Sequence, residues 1–228
     1  MFNAADLFDL TQTEHAELFS GCHYAWEALP KIAAFVESRV RPALMNRCEG
    51  RAYIGDKVFI GAGTVVEDGA MIKGPAIIGK NCRIRHNACL RENVLIGDDC
   101  VVGNSTEVKN SVFFNRVQAP HYNYVGDCIL GYKAHLGAGV ILSNFKLLDE
   151  NITVEIDGAP FDTGLRKFGA LLGDRSEIGC NAVLSPGSII GRASVIYPLV
   201  AWRGILPDGM IVKNRSAQEV AARRARGS

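Results

Sequence analysis

From Ile54 an apolar residue recurs at every sixth position, and that beat limits the fold more than any other feature of the chain. Ile54, Ile60, Val66, Ile72, Ile78, Ile84, Leu90, Ile96, Val102 and Val108 follow without a miss. Four residues after each stands a small or β-branched residue: Val58, Thr64, Ala70, Ala76, Cys82, Ala88, Val94, Cys100, Thr106 and Val112. A period of six fits neither a helix nor one long strand. It fits a coil of short strands joined by tight corners. Three such strands close a triangular turn, and successive parallel turns stack ~4.8 Å apart. The large and the small residue point inward together and fill the prism. Glycine often follows the large residue (Gly55, Gly61, Gly79, Gly97, Gly103), where a left-handed corner is expected.

The beat returns at Leu130, Leu136 and Leu142, and again at Leu172, Ile178, Leu184, Ile190 and Ile196. Two interruptions separate these runs. Residues 145–170 form an insertion, and long insertions in tight repeats commonly carry binding loops, with a tolerated surface excursion as the plain alternative. The other interruption is a slip between Lys109 and Leu130, centred on Ala119-Pro-His121-Tyr-Asn-Tyr124, with His121 expected where the register breaks.

The ends read differently. Residues 1–50 form a helical N-terminal segment, with a capping-box pattern at Thr11-x-x-Glu14, a stop at Gly21 and a second helix starting near Pro30. Ile32, Phe35, Val36 and Val40 share one face of that helix, which is expected to cap the open end of the coil. Residues 51–213 form the repeat domain. Residues 214–228 form a short helix and tail, with the helix over 217–224 capped by Ser216-x-x-Glu219.

A net charge of +1 gives no field for nucleic acid or an anionic membrane surface. No apolar run reaches the ~18 residues of a membrane span. The first ten residues carry Asp6 and Asp9 and no basic residue, unlike a secretory leader. Seven cysteines without a CxxC pair read as reduced thiols, and the expected compartment is the cytoplasm. Cys82 and Cys100 lie one turn apart and are expected as buried apolar groups rather than metal ligands.

Charge patterning singles out one edge. Lys73, Arg91 and Lys109 each follow a large inward residue on successive turns, so they stack. Like charges that close repel unless an anion bridges them, and phosphate is the natural one. Three solvated side chains splaying apart is the alternative.

The hexapeptide pattern resembles the left-handed parallel β-helix acyltransferases, a mainly β fold. Val102-Gly-Asn-Ser-Thr-Glu-Val-Lys109, Ala119-Pro-His121-Tyr-Asn-Tyr124-Val-Gly-Asp127, and Leu136-Gly-Ala-Gly139 with Asn144 are similar to the acetyltransferase half of bifunctional N-acetylglucosamine-1-phosphate uridyltransferases. Asp162-Thr-Gly-Leu-Arg-Lys167-Phe-Gly-Ala-Leu-Leu-Gly-Asp174 is similar to archaeal sugar-1-phosphate nucleotidylyltransferase/acetyltransferases. The resemblance implies an acetyl-CoA-dependent transfer to an amino-sugar 1-phosphate, with no metal, in a homotrimer. It implies His121 as catalytic base and Asn144 near the reacting acetyl group. Arg91, Lys109, Tyr124 and Lys167 would hold the sugar phosphate, with Lys73 extending their column. Ala138 and Cys180 would contact acetyl-CoA. His135 stands where the bacterial enzymes place a sugar-contacting asparagine. No nucleotidylyltransferase half is expected, since residues 1–53 are too short for one.

The residue types suit that chemistry. Acetyl transfer from a thioester to an amine needs the amine neutral, and histidine is a base suited to neutral pH. An amide donor such as Asn144 would stabilise the developing oxyanion. Three other readings stay open. A zinc hydratase would use His86 and His121, but Gly126 stands where its third ligand is sought. An acyltransferase could draw its acyl group from a carrier protein. A non-catalytic trimeric scaffold could serve a separate nucleotidylyltransferase.

Overall fold

The structure, a computed structural model, describes residues 2–214. The helix expected over 217–224 lies outside them. The chain folds as a left-handed parallel β-helix of about nine turns with three faces. The first face runs from Ala43–Leu44 to Ile205–Leu206 in nine strands, and the second from Arg47–Glu49 to Ile211–Val212 in nine. The third runs from Tyr53–Ile54 to Ala201–Trp202 in eight. Each strand pairs with the strand one turn away, so Ile60 registers with Ile78, Ile78 with Ile96, and Ile96 with Phe113. These inward residues are fully buried, and so are their small partners Ala76, Cys82, Ala88 and Val94. Burying each large aliphatic side chain contributes ~1.5–3 kcal/mol, so the repeat is itself the source of stability. The coil begins at Ala43, earlier than the sequence reading placed it, because its first strands are exposed and carry little of the beat.

The corners differ from expectation in two ways. The left-handed residue is the third after the large one, at Asn81, Asn87, Asn93 and Asp99, and not the glycine that follows directly. That glycine answers a close approach between rungs. A Cβ on Gly79 would lie 2.7 Å from the Gly97 carbonyl carbon, and one on Gly103 would lie 1.6 Å from the Pro120 carbonyl oxygen. Asparagine and aspartate tolerate the left-handed region, whereas other L-residues lose ~1–2 kcal/mol there.

The slip also sits elsewhere. Between Val108 and Phe113, and between Val125 and Leu130, the corner from third face to first is one residue short. Its left-handed residue, Asn110 or Asp127, then comes second rather than third. Ser111 therefore takes the inward small position expected of Val112, and Val112 turns outward into a second core. His121 lies midway between the two shortened corners, on a rung of ordinary spacing.

That second core corrects the role of the N-terminal segment. The segment packs on the outer side of the first face rather than over the open end. Leu95, Val112, Phe114, Ile129, Leu171 and Ile189 present an apolar flank. Leu7, Phe8, Trp26, Leu29 and Val36 cover it. The segment is short helical pieces: Ala4–Leu7, three 3-10 turns including Ala25–Lys31, and Ile32–Arg39. Thr11 lies inside the turn Leu10–Gln12, which Asp9 caps instead. The insertion joins the same core through the hairpin Thr153–Ile156 and Ala159–Asp162, closed by Asp157-Gly158 with φ 52° and 79°. Trp26 bridges the two, stacked on Tyr24 at 4.4 Å and 6.2 Å from Phe168.

Candidate active site

The sequence-predicted residues gather mainly on two edges that flank the third face. The corner between second and third faces carries one column. Asn104 registers with His121, Gly139 N–H donates to the His121 carbonyl at 3.0 Å, and Asn181 N–H donates to the Ala138 carbonyl at 2.8 Å. His121, Ala138 and Cys180 thus follow on consecutive rungs. The His121 side chain is exposed and its ring has no hydrogen-bond partner among the described residues. Its backbone is fixed from below, since His121 N–H donates to Asn123 Oδ1 at 3.2 Å. Asn123 is buried, and its Nδ2 donates to the Gly137 carbonyl at 2.8 Å.

The corner between third and first faces, the third corner, carries the cations. Lys73 N–H donates to the Leu90 carbonyl and Arg91 N–H to the Val108 carbonyl, both at 2.8 Å, so the expected stack exists. An external anion is not required to relieve it, because carboxylates interleave. Lys73 lies 3.5 Å from Glu92, Arg91 lies 3.1 Å from Glu92 and 3.0 Å from Glu107, and Lys109 lies 3.3 Å from Asp127. The Glu107 hydrogen bond, joined by the charge of Glu92, holds the Arg91 pKa above its ordinary value. Burial works to raise that of Glu92, but its own backbone N–H, Arg91 and Lys73 outweigh it, and the net shift is downward.

Asp127 is the hub of this edge. It is 5% exposed, and its carboxylate meets Lys109 Nζ while accepting from Asn110 Nδ2 at 2.9 Å and Asn144 Nδ2 at 2.5 Å. Asn144 also accepts Phe168 N–H at 2.9 Å through its carbonyl, closing the neck of the insertion and bringing exposed Lys167 beside it. Tyr124 reaches over Gly126 to the same place. A Cβ on Gly126 would lie 2.7 Å from the Tyr124 hydroxyl and 2.9 Å from Asn144 Nδ2. Burial, with Glu107 and Asp127 near, raises the Tyr124 pKa, so the phenol stays a neutral donor at pH 7.

The two edges are separated by the strand Tyr124–Gly126, with the left-handed Tyr122 between it and His121. His135 belongs to neither edge. It lies on the second face, where its Nδ1 is 2.8 Å from Glu177 Oε2, in an open hollow of about 510 Å³ shared with Gln118 and Lys133. His86 and His121 share a column, and among the described residues no group of three or more His, Cys, Asp or Glu is arranged to hold a metal. Asn123 and Asp127 escaped the sequence reading as functional residues. Asn123 was legible, since it takes an inward position held elsewhere by Ala, Cys, Val, Ser or Thr.

Comparison with known proteins fits this architecture. Residues 51–90 match the bacterial transferase hexapeptide model, described as six repeats, and residues 72–158 match the GMPPB C-terminal domain. Residues 51–158 are thus similar to hexapeptide-repeat transferases and to the GMPPB C-terminal domain. A bifunctional sugar-1-phosphate nucleotidylyltransferase/acetyltransferase of Sulfurisphaera tokodaii is 33% identical over 90 residues, 40% of this chain and 22% of that protein. The bifunctional protein GlmU of Methanococcus vannielii is 36% identical over 88 residues, 39% of this chain and 21% of that protein. The matched stretch therefore spans about a fifth of each relative. Among solved structures, the acetyltransferase domain of PglB from Neisseria gonorrhoeae, in complex with acetyl coenzyme A, aligns over 85% of this chain and 64% of that chain. Its identity is 17% and its TM-score 0.31, too weak a likeness to carry an inference.

Proposed function

We propose that this hexapeptide-repeat protein transfers an acetyl group from acetyl-CoA to the amine of an amino-sugar 1-phosphate. The observation that carries the reading is the single column of His121, Ala138 and Cys180, which sets a free imidazole in line with the proposed thioester contacts. His121 would take the proton as the amine attacks the thioester carbonyl. The C–N bond forms, the C–S bond breaks, and CoA leaves as the thiolate, which then takes a proton. Arg91, Lys109, Tyr124 and Lys167 would hold the sugar phosphate, with Lys73 at the end of their column. Asn144 would donate to the oxyanion, and His135 would touch the sugar.

The separation of the two edges gives the trimer a role: one chain would supply His121 and a neighbour the cationic corner. The seven free thiols suit a reducing compartment, and we place the activity in the cytoplasm. The test is CoA release from acetyl-CoA across a panel of amino-sugar 1-phosphates, with light scattering on the same sample. Activity on at least one acceptor from a trimer supports the reading, and a fully active monomer would remove the shared site.

A non-catalytic scaffold for a separate nucleotidylyltransferase is the second reading. What favours it is that each cation of the third corner already has a carboxylate partner, with Lys109 buried against Asp127. Absence of acetyl-CoA binding, with co-purification of such an enzyme, would decide for it.

A further inference from the structure

The corner between first and second faces carries another line of cations. Its left-handed position is held at Gly63, Asn81, Asp99 and Gly209 by residues suited to that backbone, and at Ala193 by one that is not. On three successive rungs it is instead Arg116 (φ 64°), Lys133 (φ 58°) and Arg175 (φ 58°). The rungs stack directly: Lys133 N–H donates to the Asn115 carbonyl at 3.1 Å, and Arg175 N–H to the Tyr132 carbonyl at 2.8 Å. The cations therefore repeat along the edge at the rung spacing of ~4.8 Å.

This line is not neutralised as the third corner is. Arg116 Nε lies 3.6 Å from Asp99 Oδ2, but neither Lys133 nor Arg175 has a carboxylate partner among the described residues. Both are held against one ring instead, with Lys133 Nζ 5.3 Å and Arg175 Cζ 5.7 Å from the centroid of Tyr132. All three side chains are exposed. Arg116 and Lys133 border the hollow with Gln118, which Asp99 and Glu177 also line, and Arg175 borders a neighbouring one with Asp174 and Arg192. A backbone that asparagine would relieve, kept beneath long cations on three rungs, directs attention to what their head groups do. An anion lying along the edge would relieve their mutual repulsion.

We propose that this corner binds a phosphoanhydride chain, whether of a nucleotide or of an inorganic polyphosphate. Lys133 and Arg175 hold successive phosphoryl groups and Arg116 the far end, the arginines by paired N–H donors and the lysine as a point charge. A chain of phosphates can engage all three cations, each at its own rung ~4.8 Å from the next, without drawing the side chains together. Tyr132 has its ring engaged by two cations, so recognition rests on the phosphates rather than on a base. The site lies off the third face and does not depend on the acetyl transfer proposed above.

Titration calorimetry of the full chain with orthophosphate, pyrophosphate, tripolyphosphate and ATP tests this. Lys133→Asn and Arg175→Asn suit the left-handed backbone, so a melt of each variant should show the fold kept or strengthened. Tripolyphosphate should bind saturably and more tightly than orthophosphate, with ATP within about threefold of it. Each substitution should raise Kd about tenfold and the pair about a hundredfold. Absence of saturable binding to the wild type, or binding that survives the paired substitution, would overturn the proposal. So would loss in an Arg91→Ala chain but not in the paired variant, which would assign the anion to the third corner. ATP far tighter than tripolyphosphate would overturn recognition by phosphates alone.

Discussion

Asp127→Asn should destabilise this protein by about 3 kcal/mol although it changes only one atom. The Asp127 side chain is 7% exposed and that of Lys109 11%, so water screens their 3.3 Å contact little. Breaking a buried pair by removing one charge typically costs ~3–5 kcal/mol, because the remaining charge is left uncompensated. The replacement amide still accepts one hydrogen bond from Asn110 or Asn144, which returns ~1 kcal/mol. Lys109→Met should cost less, about 1–2 kcal/mol, because the carboxylate keeps both amide donors at 2.9 and 2.5 Å. In the double variant no charge is left unpaired, so its loss should fall short of the sum by ~1.5–3 kcal/mol. Urea melts of the four proteins at matched m give the cycle directly. Simple additivity, or an Asp127→Asn effect below ~0.5 kcal/mol, would refute the hub, since only independent sites add.

Gly103→Ala should cost at least 2 kcal/mol, about the upper range of overpacking, since its Cβ would meet the Pro120 backbone beside His121. Gly158→Ala, with open space around it, should cost only the ~1 kcal/mol of a left-handed alanine. His15 is held at a pKa of about 4 by burial and the charge of Arg39, against Asp98 and below its ordinary 6.5. The unfolded chain takes the proton first, so stability is full above pH 6.5 and falls towards pH 4. The loss is at most about 3 kcal/mol, and His15→Phe should flatten that window of the pH–melt profile. All seven thiols should react in denaturant without reductant, while in the native protein exposed Cys48 and Cys180 react first and buried Cys82, Cys100 and Cys128 last. Burial raises the Cys100 and Cys128 thiol pKa values, which protects them further. A thiol count below seven, or early reaction of Cys128, would contradict that.

Much of the fold was legible because the β-helix makes every rung repeat one steric problem. An inward Ile must meet an inward small residue, so the period survives in the letters from Ile54 to Ile196. Reading glycine after the large residue as a left-handed corner failed for a physical reason. Contact between rungs, not φ, excludes a Cβ at Gly79 and Gly103, while the left-handed position three residues on is one asparagine can fill. The shortened corners were harder to read. Losing one residue at Asn110 and at Asp127 moves two rungs, yet in the sequence it looks like a blur around His121. Nothing periodic marked the N-terminal segment as flank cover, since its partners Val112, Ile129 and Leu171 look like ordinary strand residues. On the third corner, spacing gave the cations but not Glu92, Glu107 and Asp127, whose positions follow from the corner geometry.

Turnover of a His121→Ala chain tests the role of this imidazole in acetyl transfer. With acetyl-CoA and an accepted amino-sugar 1-phosphate, kcat should fall ~10²–10⁴-fold while the melt and the acceptor KM hold. A kcat within about threefold of wild type would show that no proton passes through this imidazole. The column of His121, Ala138 and Cys180 would then be an edge of the coil and not a site.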